Sequence, residues 1–290
     1  MWRAILSLFL LVLCILAGTN AFALEGYSSP VLSGESAADY YHQLMTYITG
    51  DWQQYGQMFT ALQGVWFWKI FLAVISIIPT LFLIHYLIIG AKRFAHDGEY
   101  VYFFNLFNRV VHFFAALSFS LLVITGLAVV FGSFFGGGGF VKMARYVHLI
   151  AAMVFILPGL LMFLMWFKDM LPKLYDISWM LILGGYLSKR KKPVPAGKFN
   201  AGQKMYFWLA TAGGGIMAYT GYLIWGFGAD IDSIRISIMV HNILAAGIVA
   251  FYLTHVYMSV FAIAGSLESM KTGYKPKEEV DILHSKYEYE

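Results

Sequence analysis

The sequence predicts an all-α integral membrane protein, a bundle of transmembrane helices, and three observations lead there. The 290 residues are 60% hydrophobic and only 12% charged, about half the charge of a soluble domain. The apolar residues collect into five runs, roughly 66–90, 110–131, 145–167, 205–227 and 237–264, each near the ~20 residues that cross a bilayer as helix. Lys and Arg are sorted between alternate connections, as topogenic charges are. Backbone groups in lipid must bond within their own segment, so runs of this length are helices.

The elements follow in order. Residues 1–23, MWRAILSLFLLVLCILAGTNAFA, have a basic start, an apolar middle and a closing Ala21-Phe22-Ala23, the pattern of a cleaved signal peptide. A retained first helix is the other reading of that stretch. Residues 24–64 carry Glu25, Glu35, Asp39 and Asp51 without Lys or Arg. This acidic leader is either a docking surface for an exported partner or a solvated arm, and its aromatic section is expected to form one or two interfacial helices. A first transmembrane helix occupies 65–92, four further spans fill 105–267, and 268–290 form a mixed-charge tail, solvated or partner-bound. Trp66, Trp68, Trp166, Trp208 and Trp225 lie near span ends, where interfacial aromatics belong.

Charge sets the orientation. The connection after the third span holds Lys168, Lys173, Lys189, Arg190, Lys191, Lys192, Lys198 and Lys204, and the one after the first holds Lys92, Arg93 and Arg109. The connection after the second span is FGSFFGGGGF followed by Lys142, and that after the fourth has Asp230, Asp232 and Arg235. The basic connections are therefore inside, with the N-terminus outside and the C-terminus cytoplasmic. The Lys-Arg-Lys-Lys patch at 189–192 is a topogenic anchor, and no nucleic-acid footprint is present. Gly136–Gly139 reads as a flexible turn. No repeat of 20–50 residues is evident. Cys14 is the single cysteine, which excludes disulfides, thiolate zinc and iron–sulfur clusters within the chain.

The chemistry lies in histidines within lipid, where ionisable groups are rare and functional. His241 and His255 share the run IMVHNILAAGIVAFYLTHVYM, about 21 Å apart along a helix axis and on one face. Orientation gives depth. His148 and His241 lie near the outer side, His112 and His255 near the inner side. Paired imidazoles at two depths suit two bis-histidine haems, whose iron keeps no open position and transfers electrons. Small residues nearby, Ala115–Ala116, Gly126, Ala151–Ala152 and Ala245–Gly247, leave room for a flat macrocycle, although they equally suit helix packing. His85, inside the first span, is read as a hydrogen-bonded bundle residue before a quinone or propionate contact. His42, His96 and His284 receive no role.

Spans two to five resemble the cytochrome b556 (gamma) subunit of respiratory, membrane-bound formate dehydrogenase. The resemblance rests on GKFNAGQKMYFW at 197–208, on Arg109-x-x-His112 and Arg145-x-x-His148, and on the His241/His255 spacing, over about residues 105–275. It implies a four-helix di-haem cytochrome b core with one additional N-terminal helix. Two haem b groups would be held by His148/His241 outside and His112/His255 inside. It also implies a menaquinone site beside the inner haem, lined by Asn200, Ala201, Gly202 and Gln203. Asn200 can donate to a quinone carbonyl and Gly202 admits close backbone approach; on the residues alone, a cap and turn before the fourth span suits the same stretch equally well.

The implied partners are a molybdenum or tungsten catalytic subunit, an iron–sulfur subunit, lipid and quinone. The chain would be the quinone-reducing electron-transfer subunit of an oxidoreductase in the bacterial inner membrane, unable to oxidise formate alone. The alternatives are a cytochrome b serving nickel–iron hydrogenase or thiosulfate reductase, a haem-free transporter or proton channel with histidine relays, and an assembly scaffold.

Overall fold

A computed structural model describes residues 37–95, 98–226 and 229–289; the signal-peptide segment and His96 lie outside these. Among the described residues the regular elements are helices, apart from one two-stranded ribbon. Helix α1 spans Ala37–Thr49 and α2 runs Trp52–Ile88, beginning within the stretch read as leader. Strand β1 is Tyr100–Tyr102, α3 Leu106–Val130, α4 Gly138–Trp166 and α5 Leu174–Leu181. Helix α6 starts as Ala201–Trp208, widens through Leu209–Gly213 and continues as Gly214–Gly226. Helix α7 is Ile231–Ala262, followed by α8 Glu268–Thr272, β2 Tyr274–Pro276 and α9 Lys277–Leu283.

Helices α2, α3, α4 and α7 are each long and apolar enough to cross a membrane. In α2 the apolar window is 6% buried, against 28%, 22% and 28% in the other three, so most of its side chains are uncovered among the described residues. Helix α6 carries Gly213, Gly214 and Gly215 in succession, which dilutes its hydropathy. The turn before α4 places Gly136, Gly137 and Gly138 at φ of 84°, 64° and 54°. Only glycine takes three such angles without strain, so this run is a specified turn rather than merely a pliable one.

Two compact units make up the chain: the described residues up to Ile70 with Gly215–Ala245, and Phe71–Gly214 with Ala246 onward. In the first unit the leader is tied to the start of α7. The Asp51 amide donates to Asp232 Oδ2 (2.6 Å), Arg235 donates to the Thr49 carbonyl, and Asn242 Nδ2 donates to Gln63 Oε1 (3.0 Å). The Arg235 guanidinium also lies over the Trp52 ring.

In the second unit the segments between helices knit together with the tail. Strands β1 and β2 pair antiparallel, with Val101 opposite Lys275. The amides of Phe103 and Phe104 both donate to the Gly273 carbonyl, Val194 donates to the Ile282 carbonyl, and Lys286 donates to the Ala196 carbonyl. Val280 and Ala196 are fully buried. Where charge patterning suggests a solvated or partner-bound tail, the tail is packed against its own chain. The reason is spacing: Val280 and Leu283 lie on one buried helical face, and the buried charge of Lys275 on β2 is matched by Glu279 on α9.

Candidate functional site

His112 stands on α3, one turn beyond Arg109, and His255 lies near the end of the α-helical part of α7. Within the second unit their ring centres are 6.3 Å apart with planes at 51°. A metal–imidazole bond is about 2 Å and the ring centre lies about 1 Å further, so rings on opposite sides of one iron have centres roughly 6 Å apart. The observed separation fits that arrangement. Tyr206 stacks on His255 at 4.7 Å and 25°, and Phe119 meets Tyr206 edge-on. The Tyr252 hydroxyl donates to Ser120 Oγ (2.8 Å) in the same aromatic shell. Arg109 grips the Lys271 carbonyl through Nη1, while its Nε is buried with no partner among the described residues. A buried donor on the turn before His112 suits an anionic edge, such as a haem propionate.

His148 and His241 belong to different compact units, and each is held within its own by the same device. In the second unit, Thr125 Oγ1 on α3 lies 2.9 Å from His148 Nδ1 on α4. In the first, Thr220 Oγ1 on α6 lies 2.9 Å from His241 Nδ1 on α7. Each threonine precedes a glycine. A Cβ at Gly126 would stand 3.4 Å from His148 Cε1, and one at Gly221 would stand 3.5 Å from His241 Cε1. Both are ordinary van der Waals distances, so each glycine lies against the Cε1 edge of its imidazole. Among the described residues no group of three or more His, Cys, Asp or Glu side chains could hold a metal ion together.

The loop read as a quinone contact forms a reciprocal cap on α6. Asn200 Oδ1 accepts from the Gln203 amide and Gln203 Oε1 accepts from the Asn200 amide, both at 2.9 Å. Both side-chain oxygens are committed, leaving the two amide NH₂ groups as donors. Ala201 is buried, and a Cβ at Gly202 would meet Trp179 Cη2 at 3.0 Å, so a side chain there would press on the indole packed over it. Lys204 is buried against Asp176, Nζ to Oδ2 at 2.7 Å. That oxygen also accepts from the Lys173 amide, while Oδ1 is buried without a partner among the described residues.

His284 Nδ1 donates to the Gly197 carbonyl at 2.8 Å and so braces this loop from the tail. Burial, aided by the Lys275 charge and opposed by the Gly197 bond, pushes its imidazole down to about 3. His85 is a bonded bundle residue: Nε2 donates to the Tyr186 carbonyl (2.9 Å), so Nδ1 accepts from the Tyr257 hydroxyl (2.5 Å). Sequence reading did not single out Thr125, Thr220, Asp176 or Tyr206. Its one usable signal was the Thr-Gly dipeptide, 23 residues before His148 and 21 before His241.

A helical membrane bundle that presents paired imidazoles, with no thiolate or carboxylate cluster among its described residues, is the framework of a membrane cytochrome b. The chain matches the prokaryotic cytochrome b561 family over residues 103–273 and belongs to it, which implies haem b. Curated relatives bear out the resemblance drawn from the motifs. The chain is 28% identical over 179 residues to the cytochrome b556(Fdn) subunit of the nitrate-inducible formate dehydrogenase of Escherichia coli K12, covering 57% of this chain and 80% of the relative. It is 25% identical over 174 residues to the cytochrome b556(fdo) subunit of formate dehydrogenase from the same strain, covering 58% and 82%. It is also 26% identical over 174 residues to the formate dehydrogenase cytochrome b556 subunit of Haemophilus influenzae, covering 57% and 73%.

Proposed function

We propose that this chain is the membrane-anchoring di-haem cytochrome b subunit of a formate dehydrogenase, carrying electrons from iron–sulfur and catalytic subunits outside to menaquinone near the inner side. The observation that carries this reading is the 6.3 Å separation of the His112 and His255 rings. When bound, haem supplies one-electron transfer; the chain holds and orients it. His112 and His255 hold the inner group, with Tyr206 fixing the His255 ring plane and Arg109 Nε offering a donor to its anionic edge. His148 and His241 hold the outer group. That pairing rests on their shared depth in the topology and on the identical Thr–His contacts.

The remaining NH₂ donors of Asn200 and Gln203 face a quinone carbonyl, and the Lys204–Asp176 pair keeps their loop in place. Residues 1–23 are removed on export, the leader lies outside, and the C-terminal segment lies in the cytoplasm. Relatives named as formate dehydrogenase subunits support this partner over a hydrogenase or thiosulfate reductase.

The test is haem content and a reduced-minus-oxidised spectrum of the purified chain. Two b haems per chain are expected, with His241→Ala removing one and His255→Ala the other. A folded chain without haem, or either variant retaining both at full occupancy, overturns the assignment.

A further inference from the structure

The Thr125 and Thr220 hydroxyls each have a single proton, and the backbone claims it. Thr125 Oγ1 lies 2.6 Å from the Leu121 carbonyl, and Thr220 Oγ1 lies 2.9 Å from the Ile216 carbonyl. A carbonyl can only accept, so each hydroxyl donates there, the usual behaviour of threonine in a membrane helix. Each oxygen also approaches a second carbonyl, Leu122 at 3.3 Å or Met217 at 3.2 Å, and stands 2.9 Å from an imidazole Nδ1, where, with its one proton given to the backbone, it accepts from the ring. His148 and His241 are thereby set in the tautomer with hydrogen on Nδ1 and the lone pair on Nε2, the form that binds iron through Nε2. Generic helix back-bonding explains the carbonyl contacts of each threonine. It does not explain why the oxygen also falls on Nδ1 of the histidine in both units, beside a glycine each time.

Giving a ring proton to an oxygen acceptor makes an imidazole a more basic ligand, and a more basic axial ligand favours oxidised iron. His255, by contrast, is held by the stacked face of Tyr206. We infer that Thr125 and Thr220 are positioning residues which fix the Nδ1–H tautomer of His148 and His241 and thereby hold the outer haem at a lower reduction potential than the inner one. The inference rests on the four-histidine reading above. It adds a direction to that reading, since the residues around the ligands make inward transfer downhill.

The test uses the full chain carrying Thr125→Val, Thr220→Val or both, with Thr125→Ser and Thr220→Ser as controls. Valine keeps the branched shape and removes the oxygen; serine keeps the oxygen. The readouts are haem content and a potentiometric titration of the b-haem absorbance. Each valine variant is expected to keep two haems and to favour reduction of the lower-potential couple about tenfold, roughly 59 mV for one electron. Both valines should move that same couple, the other should stay put, and serine should restore the wild-type value. Loss of one haem in valine variants that serine repairs also supports the inference. Valine variants with two haems and unmoved couples overturn it, as do equal shifts in both couples or a loss that serine does not repair. A wild-type chain with fewer than two haems fails the four-histidine reading instead, so the two failures are distinguishable.

Discussion

Lys204 is one of eight basic residues that orient the connection after the third span, yet it is 5% exposed and paired with an equally buried Asp176. Removing one partner of such a pair leaves an uncompensated charge in a low dielectric, which typically costs about 3–5 kcal/mol. Asp176 is especially exposed to that loss, because its Oδ1 already has no partner among the described residues. Lys204→Met is therefore expected to lower the thermal midpoint of the detergent-solubilised protein sharply. Lys204→Met combined with Asp176→Leu should recover most of the loss, since neither charge is then stranded. A single variant as stable as the parent would show that water reaches the pair. A count of Lys and Arg could not reveal this ion pair, because topogenic charge and paired charge are the same residue type in one dimension.

Helix α6 begins with a reciprocal cap in which both side-chain oxygens of Asn200 and Gln203 are consumed. Cap and quinone contact thus draw on different atoms of the same two residues and can be separated. Asn200→Asp keeps a good capping oxygen and removes the NH₂ donor; Asn200→Ala removes both and costs about 1 kcal/mol of stability. The expectation is that the aspartate variant keeps the parent's thermal midpoint but shows a raised KM for quinol or quinone analogues. Unchanged quinone kinetics in that variant would reduce the loop to a cap. The motif GKFNAGQKMYFW showed where the loop lies and that a helix starts there. It could not show that Trp179 lies against Gly202, since that contact joins α5 to α6.

The second unit is closed by its own C-terminal segment, with His284 buried at Gly197 and Glu279 matched to Lys275. Folding keeps His284 neutral, while the unfolded ring titrates near 6.5, so between those pH values the unfolded state binds the extra proton. Stability from this contact is complete above about 6.5 and is lost as pH falls from there toward the folded value of about 3. Protection factors of the amides of residues 275–286, taken relative to the intrinsic exchange rate at each pH, are expected to fall between pH 7 and pH 5, and His284→Asn should flatten the dependence. An unchanged profile would mean the ring is not a sensor of tail packing.

Membrane class, the helical bundle, the candidate ligands and the family resemblance were legible in the chain itself. Hydropathy, helical spacing and the cost of a histidine in lipid are local properties that one dimension preserves. Packing alone decided which hydroxyl meets which imidazole, that Lys204 faces Asp176, and that the charged tail folds back. Those contacts join residues at least 21 positions apart, and the only force that selects them is the fit of one folded segment against another.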